Sequence, residues 1–386
     1  MNKIILAHDH KFKLHNGIYY SGASLSYSLL EIYRDFGDEL VVISRVEKVN
    51  LVDEKVNRSS GVGVSFCTLP NMRSLKGLFD VWGNFKKIKL ATSDASLIIV
   101  KLPSFIGLLT FLANINKREK IVVEVIGNAF EANFLHGSIL GKVFALFEHY
   151  LTRFSIRFSS NVIYITSNYL QKIYPNNKNT VVCSNAIVQP VIESTLIKRY
   201  GNKRSRIIKI GLIGSLDVEY KGHDTAIKVI SSLQKKDPSV VWELYFVGGG
   251  DNARWLKLSS DLSVENNVIF KGAVRSGEGI FSFIDSMDFM LQPSTVEAQG
   301  RCIIEAMSRG CPVLGSKIGG IPELLDSTMI FDKFDYTSMA EKILLLTNNS
   351  DLYQNSSRVQ WEASKEFSYS TVENKRRKFI QEVLNK

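Results

Sequence analysis

No apolar run in this chain is long enough to cross a bilayer. The longest uncharged stretch, Leu102 to Asn116, has 15 residues and carries Pro103, Ser104, Asn114 and Asn116. A spanning helix needs about 20 apolar residues. The start, MNKIILAHDH, has one Lys and a short apolar run that meets His8 and Asp9, which is not a secretory pattern. Cysteine is scarce. Cys67, Cys183, Cys302 and Cys311 are scattered, with no CxxC and no Cys/His cluster. A zinc site and a disulfide framework are therefore not expected, and a reduced, cytoplasmic setting is. Gly61-Val62-Gly63 and Gly211–Gly214 do not complete GxGxxG, so the fingerprint of an NAD-dependent dehydrogenase is missing. The pI is near 9.2, but no known nucleic-acid motif accompanies the charge, and no nucleic-acid partner is expected.

What is present is ordinary globular composition. The chain has 386 residues, 45% apolar and 22% charged, which excludes wholesale disorder and favours two large α/β domains. The net charge of +10 is lopsided: residues 1–190 hold 22 basic and 14 acidic side chains, residues 191–386 hold 26 and 24. Short β-branched runs alternate with amphipathic segments. Lys3–Ala7, Leu40–Ser44, Leu97–Val100, Ile121–Val125 and Val162–Ile165 form one predicted series of buried strands. Lys209–Ile213, Trp242–Val247, Val268–Phe270, Phe289–Gln292 and Val313–Gly315 form a second. Such alternation implies parallel sheets with crossover helices. The polar segment Asn185–Arg206, with Pro190, is the predicted linker. The expected domains are residues 1–190 and 191–370, with a helix over Thr371–Lys386 packing back on the first.

The stretch Asp288 to Leu325, DFMLQPSTVEAQGRCIIEAMSRGCPVLGSKIGGIPELL, is the richest in chemistry. A buried strand ends at Pro293-Ser294. A loop carries Glu297, and a helix from about Gly300 to Arg309 carries Glu305 eight positions on. Ligands of open parallel sheets bind outside the carboxyl ends of strands. Two carboxylates at one such edge suit a sugar and a ribose, and a helix N-terminus with Arg301 suits a phosphate; taken alone, the same residues read more readily as a surface loop with solvated glutamates and a structural helix.

This stretch resembles the family-four retaining glycosyltransferases of the GT-B fold. The matching elements are Pro293-Ser294, Glu297, Glu305-Ala306-Met307, Gly310-Cys311-Pro312-Val313 and Gly319-Gly320-Ile321-Pro322-Glu323. Upstream, IGLIGSLDVEYKGHD (210–224), LYFVGGGD (244–251) and VIFKGAV (268–274) are similar to the same family. The first half resembles a narrower group, bacterial capsule, exopolysaccharide and O-antigen glycosyltransferases, through AHDHKFKLHNGIYYSGAS (7–24), VVEVIGNAFEAN (122–133) and VIYITSNYLQKIYP (162–175).

The resemblance implies an α/β GT-B fold, two Rossmann-like domains with a cleft between them. It also implies transfer of a sugar, with retention and without a metal or other cofactor, from a nucleotide-sugar (commonly a UDP-sugar) to a lipid-linked saccharide. Lys221 matches the diphosphate-binding Lys. Glu297 matches the Glu beside the donor sugar, and Glu305 the Glu that binds ribose hydroxyls. Ala298, Gln299 and Gly300 would offer backbone amides to the sugar or phosphate. Gly248 and Gly249, with the backbone near Val274, would hold the base. Gly214 belongs to the strand turn, where many members have a following Arg and this chain has Ser215. Arg301 is the candidate replacement, and bracing its own helix is the other role open to it. Across the cleft, Gly22 precedes a helix that would face the diphosphate. Many members carry a His after the strand 122–126, and this chain does not. The acceptor-side candidates are therefore Glu124, Gly127, Asn128 and Glu131, with His8 and His10 expected after the first strand. A non-catalytic nucleotide-sugar-binding partner in an assembly complex is the competing function.

Two segments of the basic half mix aromatic and basic residues. Asn71–Leu90 reads equally as a membrane-surface element or as core packing. Gly141–Arg157 is expected to pack its apolar face on its own sheet. The charge of the first half and the lipid-linked acceptor that the resemblance implies motivate an expected peripheral attachment, through that half, to an anionic inner membrane face.

Overall fold

The computed structural model describes residues 2–22, 25–52, 56–71, 80–134, 139–201 and 207–385. The chain divides into Met1–Cys183 with Glu373–Lys386, and Ser184–Val372. The first unit carries 27 basic and 16 acidic side chains, the second 21 and 22. The surplus of positive charge is therefore confined to the first unit.

In the first unit the strands are β1 (Lys3–His15), β2 (Ile18–Ser21), β3 (Glu39–Lys48), β4 (Asn57–Arg58), β5 (Val64–Leu69), β6 (Ala95–Leu102), β7 (Ile121–Val125), β8 (Asn161–Tyr164) and β9 (Asn179–Val182). Seven pair in parallel in the order β5-β3-β1-β6-β7-β8-β9. Ile4, Ile5, Leu6, Ile98, Ile99 and Val123 have no exposed surface, as expected of a sheet covered on both faces. β1 runs farther than the sequence predicts. Its pairing with β3 shifts between Ala7 and Lys11, and its far end then pairs antiparallel with β2. His8 and His10 thus lie within the first strand, not after it.

The helices are α1 (Tyr27–Arg34), α2 (Val81–Ala91), α3 (Phe105–Ala113), α4 (Ala129–Phe134), α5 (Ile139–Phe158) and α6 (Tyr169–Ile173). α5 overturns the expectation for Gly141–Arg157. Its buried side presents Ala145, Glu148, Thr152, Ser155 and Ile156, while Leu146, Phe147, Tyr150, Phe154 and Phe158 are exposed. Most of Asn71–Leu90 before α2 lies outside the described residues. Within α2, Trp82 and Leu90 are exposed and Ile88 is buried.

The second unit holds β10 (Ile207–Ile213), β11 (Val241–Val247), β12 (Val268–Gly272), β13 (Phe289–Gln292), β14 (Val313–Ser316) and β15 (Ile330–Phe331). All are parallel, in the order β12-β11-β10-β13-β14-β15. The order reverses direction between β10 and β13, and their carboxyl ends flank the switch point where such sheets bind ligands. α7 (Glu193–Gly201), α8 (His223–Lys236), α9 (Ala253–Asp261), α10 (Glu278–Asp285), α11 (Arg301–Ser308), α12 (Tyr336–Asn348) and α13 (Ser350–Ser364) accompany this sheet. α7 corrects the linker expectation for Asn185–Arg206. Its charged composition hides a helix that buries Leu196 against Gly310 and sends Arg199 to the Met287 carbonyl.

The last helix, α14 (Tyr369–Leu384), ends in the first unit. It buries Phe379, Ile380 and Val383 there. Arg377 lies 3.6 Å from Asp35, and Arg376 reaches Glu124 of β7. Among the described residues no helix is long and apolar enough to cross a membrane.

Candidate active site

The site in the second unit is built where β10 and β13 end. β13 stops at Gln292, Pro293 and Ser294 turn the chain, and the loop to α11 brings Glu297 back over the strand end. From the other strand, β10 leads through Gly214 to a short turn that ends at Lys221. The two loops are tied by the Thr295 amide, which donates to the Tyr220 carbonyl at 2.8 Å. Gly222 explains why a glycine must follow Lys221. Its φ is +77°, and a Cβ there would lie 2.1 Å from the Pro293 carbonyl oxygen. Only glycine lets the lysine turn sit this close to the end of β13. Gly319 does the same on the far side, where a Cβ would lie 1.7 Å from the Glu297 carbonyl oxygen.

These approaches put Lys221 Nζ 2.7 Å from Glu297 Oε2. Burial works against the lysine's charge, but the Glu297 carboxylate holds its pKa above the ordinary value. Gln292, only 2% exposed, organises the carboxylate from behind. Its Nε2 donates to Glu297 Oε2 at 3.2 Å and to Ser294 Oγ at 2.6 Å, while its Oε1 accepts from the Cys302 thiol at 2.8 Å. Burial pushes the Cys302 thiol up to about 12, and the charges of Lys221, Glu297 and Glu305 all act on it. The three site charges therefore surround one thiol. Burial raises the Glu305 pKa, offset in part by Arg301, whose guanidinium stands 3.9 Å away.

The glycine turns border this group. Gly214 leaves room for the Lys221 stem. Gly248 packs on the Gly214 backbone, its amide donating to the Gly272 carbonyl at 3.0 Å. Ser215 Oγ donates to the Gly249 carbonyl, and Val274 follows β12, half-buried against the core. Gly300, with φ +92°, caps α11. Gln299 is buried and accepts from Ser184 Oγ at 3.0 Å, and Ala298 is half-buried beside it. Lys221, Glu297, Gly214, Ser215, Gly248 and Gly249 thus form one group at the switch point, with Glu305 and Arg301 on the adjoining helix. Among the described residues no group of three or more His, Cys, Asp or Glu is placed to hold a metal ion.

Residues 208–349 match the family described as glycosyl transferases group 1. Over 343 residues the chain is 33% identical to protein CapJ of Staphylococcus aureus, covering 88% of this chain and 85% of that protein. The chain belongs to the group 1 glycosyl transferases. Among solved structures, the Anabaena protein HepE in complex with UDP superimposes on the transferase with a TM-score of 0.70, at 18% identity, over 99% of this chain and 100% of that one. WaaG, a glycosyltransferase involved in lipopolysaccharide biosynthesis, does so at 0.66 and 13% identity, over 99% of both chains. The architecture of two Rossmann-like units is GT-B.

The residues expected on the acceptor side all lie in the first unit of the transferase, in three settings. His8 and His10 stack along β1 with ring centroids 6.4 Å apart. His10 Nε2 pairs with Ser21 Oγ at 2.8 Å, just before Gly22. Burial, with Lys101 and Arg45 nearby, lowers the His8 pKa to about 3 and that of His10 to about 4, so both rings are neutral at pH 7. Glu124 is in a different setting from the one its sequence position suggests. It is 3% exposed, lies 3.1 Å from Lys101 Nζ and 3.8 Å from Arg376, and accepts from the Tyr33 hydroxyl at 3.0 Å. Its carboxylate holds β6, β7, α1 and α14 together inside the unit. Gly127, Asn128 and Glu131 form the third setting. Asn128 Nδ2 donates to the Tyr169 hydroxyl at 3.3 Å, which donates to Glu131 at 2.7 Å. The Tyr174 hydroxyl accepts from the Ala129 amide at 2.9 Å and pairs with His149 Nδ1 at 3.2 Å.

Sequence reasoning missed Gln292, Cys302, Tyr169, Tyr174 and His149. One signal was available for Gln292: a polar residue closing the apolar strand Phe289–Gln292 is expected to find a buried partner.

Proposed function

We propose that the transferase moves a sugar, with retention, from a UDP-sugar to a lipid-linked saccharide in bacterial surface polysaccharide synthesis. It would work while attached peripherally to the inner face of the membrane. The observation that carries this reading is the Lys221–Glu297 pair at the switch point of the second unit. It is supported by membership of the family, by HepE, whose solved structures contain UDP and UDP-glucose, and by the lipopolysaccharide role stated for WaaG.

In this mechanism Lys221 neutralises the diphosphate as the bond to the sugar breaks, which is where fixed positive charge lowers the barrier most. The Gly214 turn and the amides of Ala298, Gln299 and Gly300 receive the sugar and phosphates, with Arg301 as the second cation. Glu297 holds sugar hydroxyls and stabilises positive charge on the anomeric carbon. Glu305 takes the ribose hydroxyls, and Gly248, Gly249 and Val274 border the base. Gly22 serves the donor's diphosphate, and His10, Asn128 and Glu131 serve the acceptor side.

The test is a thermal-shift screen of nucleotide-sugars, followed by nucleoside diphosphate release with wild type and Glu297→Ala. At least one donor is expected to bind, and the variant to lose turnover. Undiminished release in the variant removes Glu297 from the mechanism. Donor binding with no release by wild type, in the presence of lipid-linked acceptors, favours a non-catalytic binding partner instead.

A further inference from the structure

α5 is an amphipathic helix turned inside out. Over its described side chains, residues 145–158, the buried side carries Glu148, Thr152 and Ser155, none more than 1% exposed, together with Ala145 and Ile156. Its outward side carries Leu146, Tyr150, Phe154 and Phe158, at 48%, 66%, 41% and 41% exposure. These four recur every fourth residue, so they form one stripe along the helix, about 18 Å long at the usual rise per residue. Burial normally orders the two sides the other way round, since each aromatic left in water forgoes its transfer free energy. A contiguous exposed apolar stripe on a protein surface marks a contact to be made.

The charge around the stripe says what kind. Arg153 and Arg157 stand on the same outward side, each next to a phenylalanine, and both are exposed. From His149 to Ile192 the chain has no acidic residue and four basic ones. The other two, Lys172 and Lys178, belong to the neighbouring segment: Arg153 donates to the Ile173 carbonyl at 3.0 Å and Lys178 to that of Phe158 at 3.3 Å. Aromatic and aliphatic side chains beside arginines, with no carboxylate, match the boundary of an anionic bilayer. A second copy of the chain fits poorly. An isologous contact would bring the arginines of both copies together, with no acidic residue on the stripe to meet them.

We propose that the outward side of α5 docks on an anionic lipid surface, with Leu146, Tyr150, Phe154 and Phe158 entering the acyl boundary and Arg153 and Arg157 at the headgroups. This gives a location to the peripheral attachment proposed above and rests on that reading. It also explains one further placement. His149, the neighbour of Tyr150, is bonded to Tyr174, beside Asn128. The docked helix therefore holds the polar cluster after β7 next to the lipid surface, where a lipid-linked saccharide would present itself.

The test is flotation of the full chain with phosphatidylcholine vesicles, with and without phosphatidylglycerol. Wild type is expected to float with the anionic vesicles only, and to be released by high salt. Phe154→Ser with Phe158→Ser should lower partitioning by at least ~10-fold, and Arg157→Gln by about five-fold. These positions are exposed, and an unchanged thermal midpoint shows that the variants are folded. Negligible binding to both vesicle types overturns the proposal, as does binding that the variants leave intact. A lipid-free dimer that the double variant dissociates also overturns it, in favour of a second copy. Vesicle binding that persists while no donor supports turnover removes the transferase mechanism and leaves the docking surface standing.

Discussion

Removing Glu297 is expected to tighten binding of a bare nucleoside diphosphate while abolishing turnover. Lys221 Nζ lies 2.7 Å from Glu297 Oε2, and the two side chains are 20% and 14% exposed. A hydrogen bond between charged groups in such a setting contributes about 1.5–3 kcal/mol. An incoming diphosphate must draw the lysine away from that carboxylate and tolerate its negative charge nearby. In Glu297→Ala the competition is gone, so affinity for UDP rises by what the pair had contributed. At about 1.4 kcal/mol per tenfold this is about 10- to 100-fold. Gln292 loses one acceptor in the variant but keeps Ser294, so the strand end stays ordered. A UDP-sugar gains less than UDP, because its sugar loses the Glu297 carboxylate. Isothermal titration of UDP and of the preferred UDP-sugar into wild type, Glu297→Ala and Lys221→Ala measures all of this. Lys221→Ala should bind both ligands weakly. UDP affinity in Glu297→Ala that equals or falls below wild type, while Lys221→Ala still loses binding, refutes the competition.

Gln292→Leu, which removes the amide from Glu297 Oε2, should lower kcat about five-fold through one lost hydrogen bond and leave KM for the donor nearly unchanged. An unaltered kcat rejects a positioning role. Glu124→Gln leaves Lys101 buried without its carboxylate and Arg376 with Glu373 alone, a loss of about 3–5 kcal/mol. Calorimetry should show the melting transition of the first unit fall by about 6–20 °C. Burial works against the Glu124 charge, but Lys101 and then Arg376 hold its pKa below the usual 4.5. Its contribution is therefore full above that value and lost as the pH falls through the lower folded value, so wild type and variant converge only in strong acid. The histidines act earlier. The His8 and His10 pKa values are lowered from 6.5 to about 3 and about 4, so the unfolded chain takes up protons first. Stability should fall as the pH drops from about 6.5 toward 4, and less in His10→Gln. A melting temperature in wild type that stays flat from about pH 7 to 5 rejects this.

Much of this molecule was legible in the sequence, and the exceptions share a cause. Ten predicted strands are observed because a strand buried on both faces is a continuous apolar run, and no other information is needed to find it. Lys221 and Glu297 were legible only through the resemblance of their loops to a known family's motifs, which include Gly222 and Gly319, the two glycines that let those loops approach. Gln292 was legible only as a polar residue closing an apolar strand, because its partners lie in the loop and helix beyond that strand. α7 was hidden because it sits in a polar segment behind Pro190 and buries only Leu196 completely, too few apolar positions to show a helical period. α5 shows the limit most directly. Periodicity reports which residues share a side of a helix, not which side meets the core, and here the polar side does. The charge has the same history. Cutting the sequence at residue 190 gives +8 and +2. Returning Glu373–Lys386 to the first unit gives +11 and −1, because that helix carries Lys375, Arg376, Arg377 and Lys378. The inverted helix and the surplus of positive charge are independent observations, one from exposure and one from composition, and both fall on the unit that does not contain the Lys221–Glu297 pair. A basic surplus needed to hold a diphosphate would lie in the other unit. Within that unit, Arg153 and Arg157 stand beside the exposed aromatic stripe, which is what docking on an anionic surface requires.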